Sequence, residues 1–238
     1  MNARQSTARG AKVTATWHVR DAVRPDAAPE FFRCEAFSAQ VSFDRAALTL
    51  AAGPDELWVL RGSDPDLQQL VLQEQTVLQG PNVDAVATAA AVTVDSVREG
   101  SARWSLLQDT GVFDTAGYVC LLVVPIGAMA EVSPIGTFSL ARESALPFTG
   151  AEVAQVTAFG EELAGLLLGR WRLVRDVDRF AGLIQDQRHL AAGMLASLLG
   201  MRAPQALAVM RARAFAQNRT LSDFSAEIVA TLGGQHRP

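Results

Sequence analysis

The sequence predicts an α+β domain built on an antiparallel sheet, then a long coiled-coil helix, then an all-α unit of three short helices. Three observations carry this expectation. Between about residues 31 and 147, short apolar runs alternate with turns at a spacing that leaves room for helices between some of them. From Pro147 to Pro204 there is no intervening proline, and the apolar residues settle into a heptad. Beyond residue 186, helix-sized segments are punctuated by Gly200 and by the turn from Asn218 to Thr220.

Residues 1 to 30 mix Thr, Ser, Ala, Arg and Pro without periodicity and read as a flexible leader. Candidate strands follow at Ala46–Ala51, Leu57–Arg61, Ala91–Val94, Tyr118–Ile126 and Ile135–Ala141. Asp66–Leu78 reads as a helix near a 3.6 period, broken by Gly80-Pro81; Asp84 is placed to cap the next turn, and Gly136 permits close packing under a strand. The front domain is thus expected over 31–150 and the long helix over 151–186.

The heptad seam runs Val156, Phe159, Leu163, Leu166, Arg170, Leu173, Val177, Phe180 and Ile184. A seam this long asks for a partner, most simply the same helix of a second chain in a parallel homodimer, with Arg170 fixing register. The alternative is that the seam packs back on its own domain. The three terminal helices span 187–232 ahead of a tail at 233–238; the last opens with a capping arrangement at Thr220 and Asp223. So small a unit is expected to lean on the coiled coil for stability.

Composition narrows the function classes. Hydrophobic residues make up 49% of the chain, enough for real cores, yet the longest apolar runs, Val119–Ile126 and Leu163–Leu168, fall far short of the roughly 20 residues of a membrane span. With no secretory pattern at the start, the expected compartment is the cytoplasm. Cys34 and Cys120 offer no disulfide framework. Residues 1–169 hold 11 basic and 20 acidic side chains, whereas residues 170–238 hold 10 basic and 5 acidic, so a polyanion would meet the C-terminal part. No phosphate loop, nucleophile elbow, zinc-protease motif or C-x-x-C is present, and His18, His189 and His236 are scattered. No catalytic residue, metal or cofactor is therefore expected. A thiol enzyme would need Cys34 or Cys120 exposed with a lowered pKa.

Two stretches resemble known families. Gln73 to Ala85 with its Gly80-Pro81, then Arg103-Trp104, Val124-Pro125-Ile126, Ile135-Gly136 and Pro147-Phe148, is similar to the GAF family in its actinobacterial form, over about 110 residues. That resemblance implies a six-stranded antiparallel sheet with helices on one side and a cavity on the other, binding an unidentified small molecule or serving only to dimerise. Ala191-Ala192-Gly193-Met194-Leu195, Gly200-Met201, Ala206, Val209-Met210-Arg211, Ala214, Asn218-Arg219, Leu221, Asp223 and Ile228-Val229 resemble the ANTAR domain. It implies binding of paired six-base-loop hairpins in nascent messenger RNA, that is, transcription antitermination under control of the GAF domain.

At 100° per residue, Leu207, Met210 and Ala214 face inward while Arg211 and Asn218 share an edge of the second helix, with Arg219 just beyond and Arg213 on the other flank. These residues form the candidate RNA-binding set together with Arg188. The sequence departs from the family at Leu190 and Ala192, where a glutamine and a lysine are usual; Arg188, one turn earlier on the same face, supplies a replacement charge. The alternative reading is a degenerate ANTAR unit that dimerises or docks protein without binding RNA. A DNA-binding role fits less well, because the helix from Pro204 to Gln217 is poor in base-reading side chains.

Overall fold

A computed structural model describes residues 41–53, 55–62, 64–128, 133–173 and 187–233. The expected leader, the seam residues Val177, Phe180 and Ile184, the side chains of Leu166, Arg170 and Leu173, and the tail beyond Gly233 lie outside the described residues.

All five expected strands form: β1 (Arg45–Gly53), β2 (Glu56–Gly62), β3 (Val92–Val94), β4 (Cys120–Ile126) and β5 (Gly136–Arg142). They make one antiparallel sheet in the order β2-β1-β5-β4-β3, five strands among the described residues where the family resemblance implied six. Between β2 and β3 run α1 (Pro65–Val77) and α2 (Pro81–Thr88); between β3 and β4 lie the short α3 (Val97–Gly100), α4 (Ser105–Asp109) and α5 (Val112–Thr115). The long helix is α6 (Gly150–Leu173), and the terminal unit comprises α7 (Gln187–Leu199), α8 (Ala203–Ala216) and α9 (Leu221–Gly233).

Helices cover both faces of the sheet, which explains why every residue of β4 and β5 is buried. On one face Ala47, Leu121, Val123 and Ala141 pack with Leu67 and Leu70 of α1, Ala85 of α2, Leu107 of α4 and Phe113 of α5. On the other, Leu48, Cys120, Leu122, Val124, Phe138 and Leu140 meet Val156, Leu163 and Ala164 of α6. The Phe159 ring lies 5.4 Å from that of Phe138. The first two heptads of the seam thus pack on the chain's own sheet: Val156 is 0% and Leu163 4% exposed, leaving neither a surface for a second chain. The reason is that the sheet's second face is wholly apolar and requires a cover, and α6 follows β5 closely enough to supply one.

The start of α6 is fixed by a buried cation. Arg142, at the end of β5, donates to the carbonyls of Ser42, Leu146 and Pro147, pairs with Glu152, and stacks 4.0 Å from the centroid of the Phe148 ring. Glu152 also accepts from the Thr149 amide and hydroxyl, while the Glu152 amide donates back to Thr149 Oγ1, a reciprocal cap at the helix entrance. Burial works to raise the Glu152 pKa, but the hydrogen bonds from Thr149 and Arg142 outweigh it and hold the carboxyl below its usual range.

Helix α1 begins where Asp64 Oδ1 accepts the Asp66 amide at 2.8 Å, with Pro65 in the first turn, and ends at Leu78 in the left-handed region. In the terminal unit, α7 stops at Gly200 (φ 64°), and Thr220 and Asp223 exchange hydrogen bonds at the mouth of α9, as their spacing predicts. The core of this unit is small: Ala191, Ala192, Ala196, Ala206, Met210 and Leu221. The support visible for it comes from α1 of the front domain, where the sequence suggested the coiled coil.

Gly136 sits where a Cβ would fall 2.1 Å from the Thr49 carbonyl oxygen, so β1 and β5 approach more closely than any side chain allows. Gly136→Ala is expected to lower unfolding stability by about 1–3 kcal/mol, the range typical of overpacking. An unchanged midpoint in urea unfolding would contradict this contact.

Candidate functional site

The terminal unit docks against the end of α1 and the β1–β2 turn, and this junction takes up part of the expected RNA-binding set. Arg188 is 5% exposed; its guanidinium donates to Gln75 Oε1 at 2.7 Å and lies 5.8 Å from the Trp58 ring centroid. Arg211 Nε donates to the Gln75 carbonyl at 3.3 Å, and its NH2 group to the Asp55 carbonyl at 2.9 Å. The Leu221 amide donates to Thr76 Oγ1 at 2.8 Å, and His189 Nε2 sits 3.1 Å from Glu56 Oε1. Burial, opposed by Glu56 and aided by the neighbouring Arg211 charge, leaves the Arg188 pKa pushed down to about 10. Arg211 is shifted down as well, chiefly by burial.

In this arrangement Arg188 does not present its charge on an open face, because its side chain is enclosed between α7 and α1. Ala192, on the same side of α7, is 3% exposed and belongs to the helical core, while Leu190 is 56% exposed. Asn218 does not continue the edge of Arg211 either: α8 ends at Ala216, and Asn218 turns back with φ 52°. Arg219 is tied into the α8–α9 corner by Glu227, the Asp223 carbonyl and the Phe224 ring. Arg213 is exposed on the opposite flank of α8, with no side-chain partner among the described residues. The five residues therefore do not form one surface.

Sequence reasoning missed what lies on the inner side of α1. Glu74, fully buried, accepts from the Asn82 amide at 2.8 Å and from Asn82 Nδ2 at 2.7 Å. Asn82 Oδ1 in turn accepts from Thr137 Oγ1 at 2.6 Å and Ser139 Oγ at 2.9 Å, so one asparagine joins α1, α2 and β5. The Glu74 carboxyl thus satisfies an orphan amide in the first turn of α2. Gly80 makes the turn fit: its φ is 144°, and a Cβ there would lie 2.3 Å from Glu74 Cγ and Oε1. The only sequence signal was an acid eight residues ahead of an asparagine, with Gly-Pro between them. Burial raises the Glu74 pKa to about 8, against the lowering effect of the two Asn82 hydrogen bonds and with a further push from Asp84. Tyr118 Oη and Thr49 Oγ1 are buried on the same side of the sheet without a hydrogen-bond partner among the described residues.

Separate pieces of the front-domain pattern also converge. Asp84 does not cap α2; its Oδ2 accepts from Trp104 Nε1 at 3.0 Å and from Arg103 at 3.2 Å, anchoring the segment before α4 to α2. Cys120 is fully buried and donates to the carbonyls of Asp95 and Ser144, with its pKa raised first by burial and then by Asp95, the reverse of an activated thiol. Among the described residues no group of three or more His, Cys, Asp or Glu could hold a metal ion, and no helix is long and apolar enough to cross a membrane.

No protein-family model matches the chain, and no curated protein matches it. Among solved structures, the type II free methionine-R-sulfoxide reductase from Thermoplasma acidophilum is 14% identical, covering 53% of this chain and 80% of its own, with a TM-score of 0.38. A domain of a two-component sensor histidine kinase protein from Sinorhizobium meliloti 1021 is 16% identical, covering 55% and 81%, with a TM-score of 0.40. Likeness at this level carries no argument about the present chain.

The Glu74 site makes stability depend on pH. The unfolded carboxyl ionises near 4.5 and the folded one near 8, so between those values the folded state holds the extra proton and stability falls as pH rises. The contribution is complete below about pH 4.5 and lost by about pH 8. Urea unfolding from pH 5 to 9 is expected to show this decline in the wild type and a flatter profile in Glu74→Gln. Equal slopes in the two proteins would remove Glu74 as its source.

Proposed function

We propose that this protein is a signal-responsive RNA-binding regulator of the GAF and ANTAR type, acting in transcription antitermination on paired hairpin loops and working as a homodimer. The observation that carries the reading is that charge and architecture divide together. An acidic front half coincides with a mixed α+β domain, and a basic tail contains a three-helix unit with its own core. Gly193 adds support. It lies exposed in the middle of α7, where glycine costs roughly 1 kcal/mol relative to alanine, and nothing within 4 Å requires its small size. A ligand backbone approaching α7 would require it.

A second reading, in which the terminal unit docks protein and has no RNA affinity, is favoured by a specific observation: Arg188 and Arg211 already face acceptors of the same chain. Salt titration of the purified protein with a labelled RNA bearing two tandem six-base-loop hairpins separates the two. Under the first reading, binding falls steeply with salt, and Arg213→Ala weakens it and reduces the salt slope by about 1. Affinity no greater than for an unstructured RNA would leave the second reading standing. Gly193→Ala offers a sharper check: it is expected to raise unfolding stability by about 0.5–1 kcal/mol while weakening RNA binding. Stabilisation with undiminished affinity would show that α7 is not approached closely.

A further inference from the structure

We infer that the front domain competes intramolecularly with RNA for Arg188 and Arg211, so that the docked chain is closed and RNA binding requires the terminal unit to leave α1. The inference rests on the RNA reading above and adds its regulation. The hydrogen bonds described above from these two guanidinium groups go to acceptors of the kind an RNA loop displays, and the Trp58 ring lies beside Arg188. Gln75 offers an amide oxygen and a backbone carbonyl, and Asp55 a second carbonyl, 2.7 to 3.3 Å from the arginine nitrogens. The Gln75 carbonyl lies in the last turn of α1, where the macrodipole favours a cation and carbonyls lack helical partners. Base-edge oxygens would satisfy the same donors as neutral acceptors, and phosphate oxygens would do so with a full negative charge.

The junction is also built to open. Its polar contacts run through a few groups, two like charges sit side by side within it, and burial disfavours both. Releasing the unit returns both arginines to water or to a polyanion. On the α1 side, Gln75 and Thr76 follow directly on Glu74, whose carboxyl faces the front-domain core. A change inside that core therefore acts one residue away from the dock, through a single rigid helix.

The Leu221 amide reports the state of the junction. It is the first residue of α9, so it has no acceptor within its own helix, and its hydrogen bond goes to Thr76. Amide hydrogen exchange of the full chain, with and without the tandem-hairpin RNA, combined with fluorescence anisotropy of the labelled RNA, tests the competition. The expected result is that bound RNA deprotects Leu221. Gln75→Lys, which places an ammonium against Arg188, should deprotect it without RNA and raise RNA affinity about tenfold, within the usual span of coupled equilibria. Should that variant fail to fold, Thr76→Val, which removes the acceptor of the Leu221 amide along with the hydroxyl's own bond to the Leu72 carbonyl within α1, should raise affinity in the same direction.

RNA bound tightly while Leu221 stays protected would overturn the competition and leave RNA binding intact. Unaltered affinity in a deprotected Gln75→Lys chain, or in folded Thr76→Val, would do the same. If neither the wild type nor a deprotected variant prefers the hairpins to unstructured RNA, the RNA reading falls and takes the competition with it.

Discussion

The Glu74 carboxyl accepts two hydrogen bonds from Asn82 at a point where no part of the acid is exposed, and most of the molecule is organised around that contact. Through Asn82 it reaches the hydroxyls of Thr137 and Ser139, so α1, α2 and the central strand β5 are joined by one polar chain within an apolar layer. Since an unsatisfied group there would be costly, the spacing of α1, α2 and β5 is fixed by hydrogen-bond geometry as well as by packing. The next two residues, Gln75 and Thr76, carry polar side chains that are also buried, but against the terminal unit. Helix α1 is thereby a wall between two cores.

That arrangement shows where the sequence was legible. The five strands were readable because runs such as Leu121–Ile126 are apolar over the length of a strand and end in turns. The helix stops at Gly80-Pro81 and Gly200, and the Thr220–Asp223 cap, were readable because local backbone chemistry sets them. The run Gln73-Glu74-Gln75-Thr76 was not. Four consecutive polar residues go most of the way round a helix, ordinarily with at least some of them in water, and only structure packed on both sides of the helix can bury them all. Such a layer is a tertiary fact absent from any window of the chain. The burial of the junction arginines was illegible for the same reason: Arg188 and Arg211 look like surface cations until their partners, 113 and 136 residues away, are in place.

Helix α6 teaches a complementary lesson. Over Val156, Phe159 and Leu163 the expected stripe is covered, yet a 3.5 or 3.6 repeat states only that one stripe of the helix will be covered, not by what. The cover over Val156, Phe159 and Leu163 is the chain's own sheet, because the opposite face of β4 and β5 would otherwise be bare. The start of this helix was legible in the change of pattern after Pro147, while the Arg142 clamp beneath it was not, since an arginine closing a strand gives no sign that it will turn inward to three carbonyls. Asp84, Arg103 and Trp104 were legible as separate marks; their meeting at one carboxylate oxygen was not.

Thirteen residues separate Leu173 at the end of α6 from Gln187 at the start of α7, so the two sides of the junction belong to one covalent chain. Their encounter is unimolecular, so each side meets the other at an effective concentration that does not depend on how much protein is present. An interface too weak to hold two free molecules together can therefore stay closed in this chain. The same arithmetic sets the strength of any rival: it must offer more than its own affinity for the freed unit, in proportion to how rarely that unit leaves α1. That the two parts share one chain, and not the strength of their contact alone, thus sets the sensitivity with which one answers to the other.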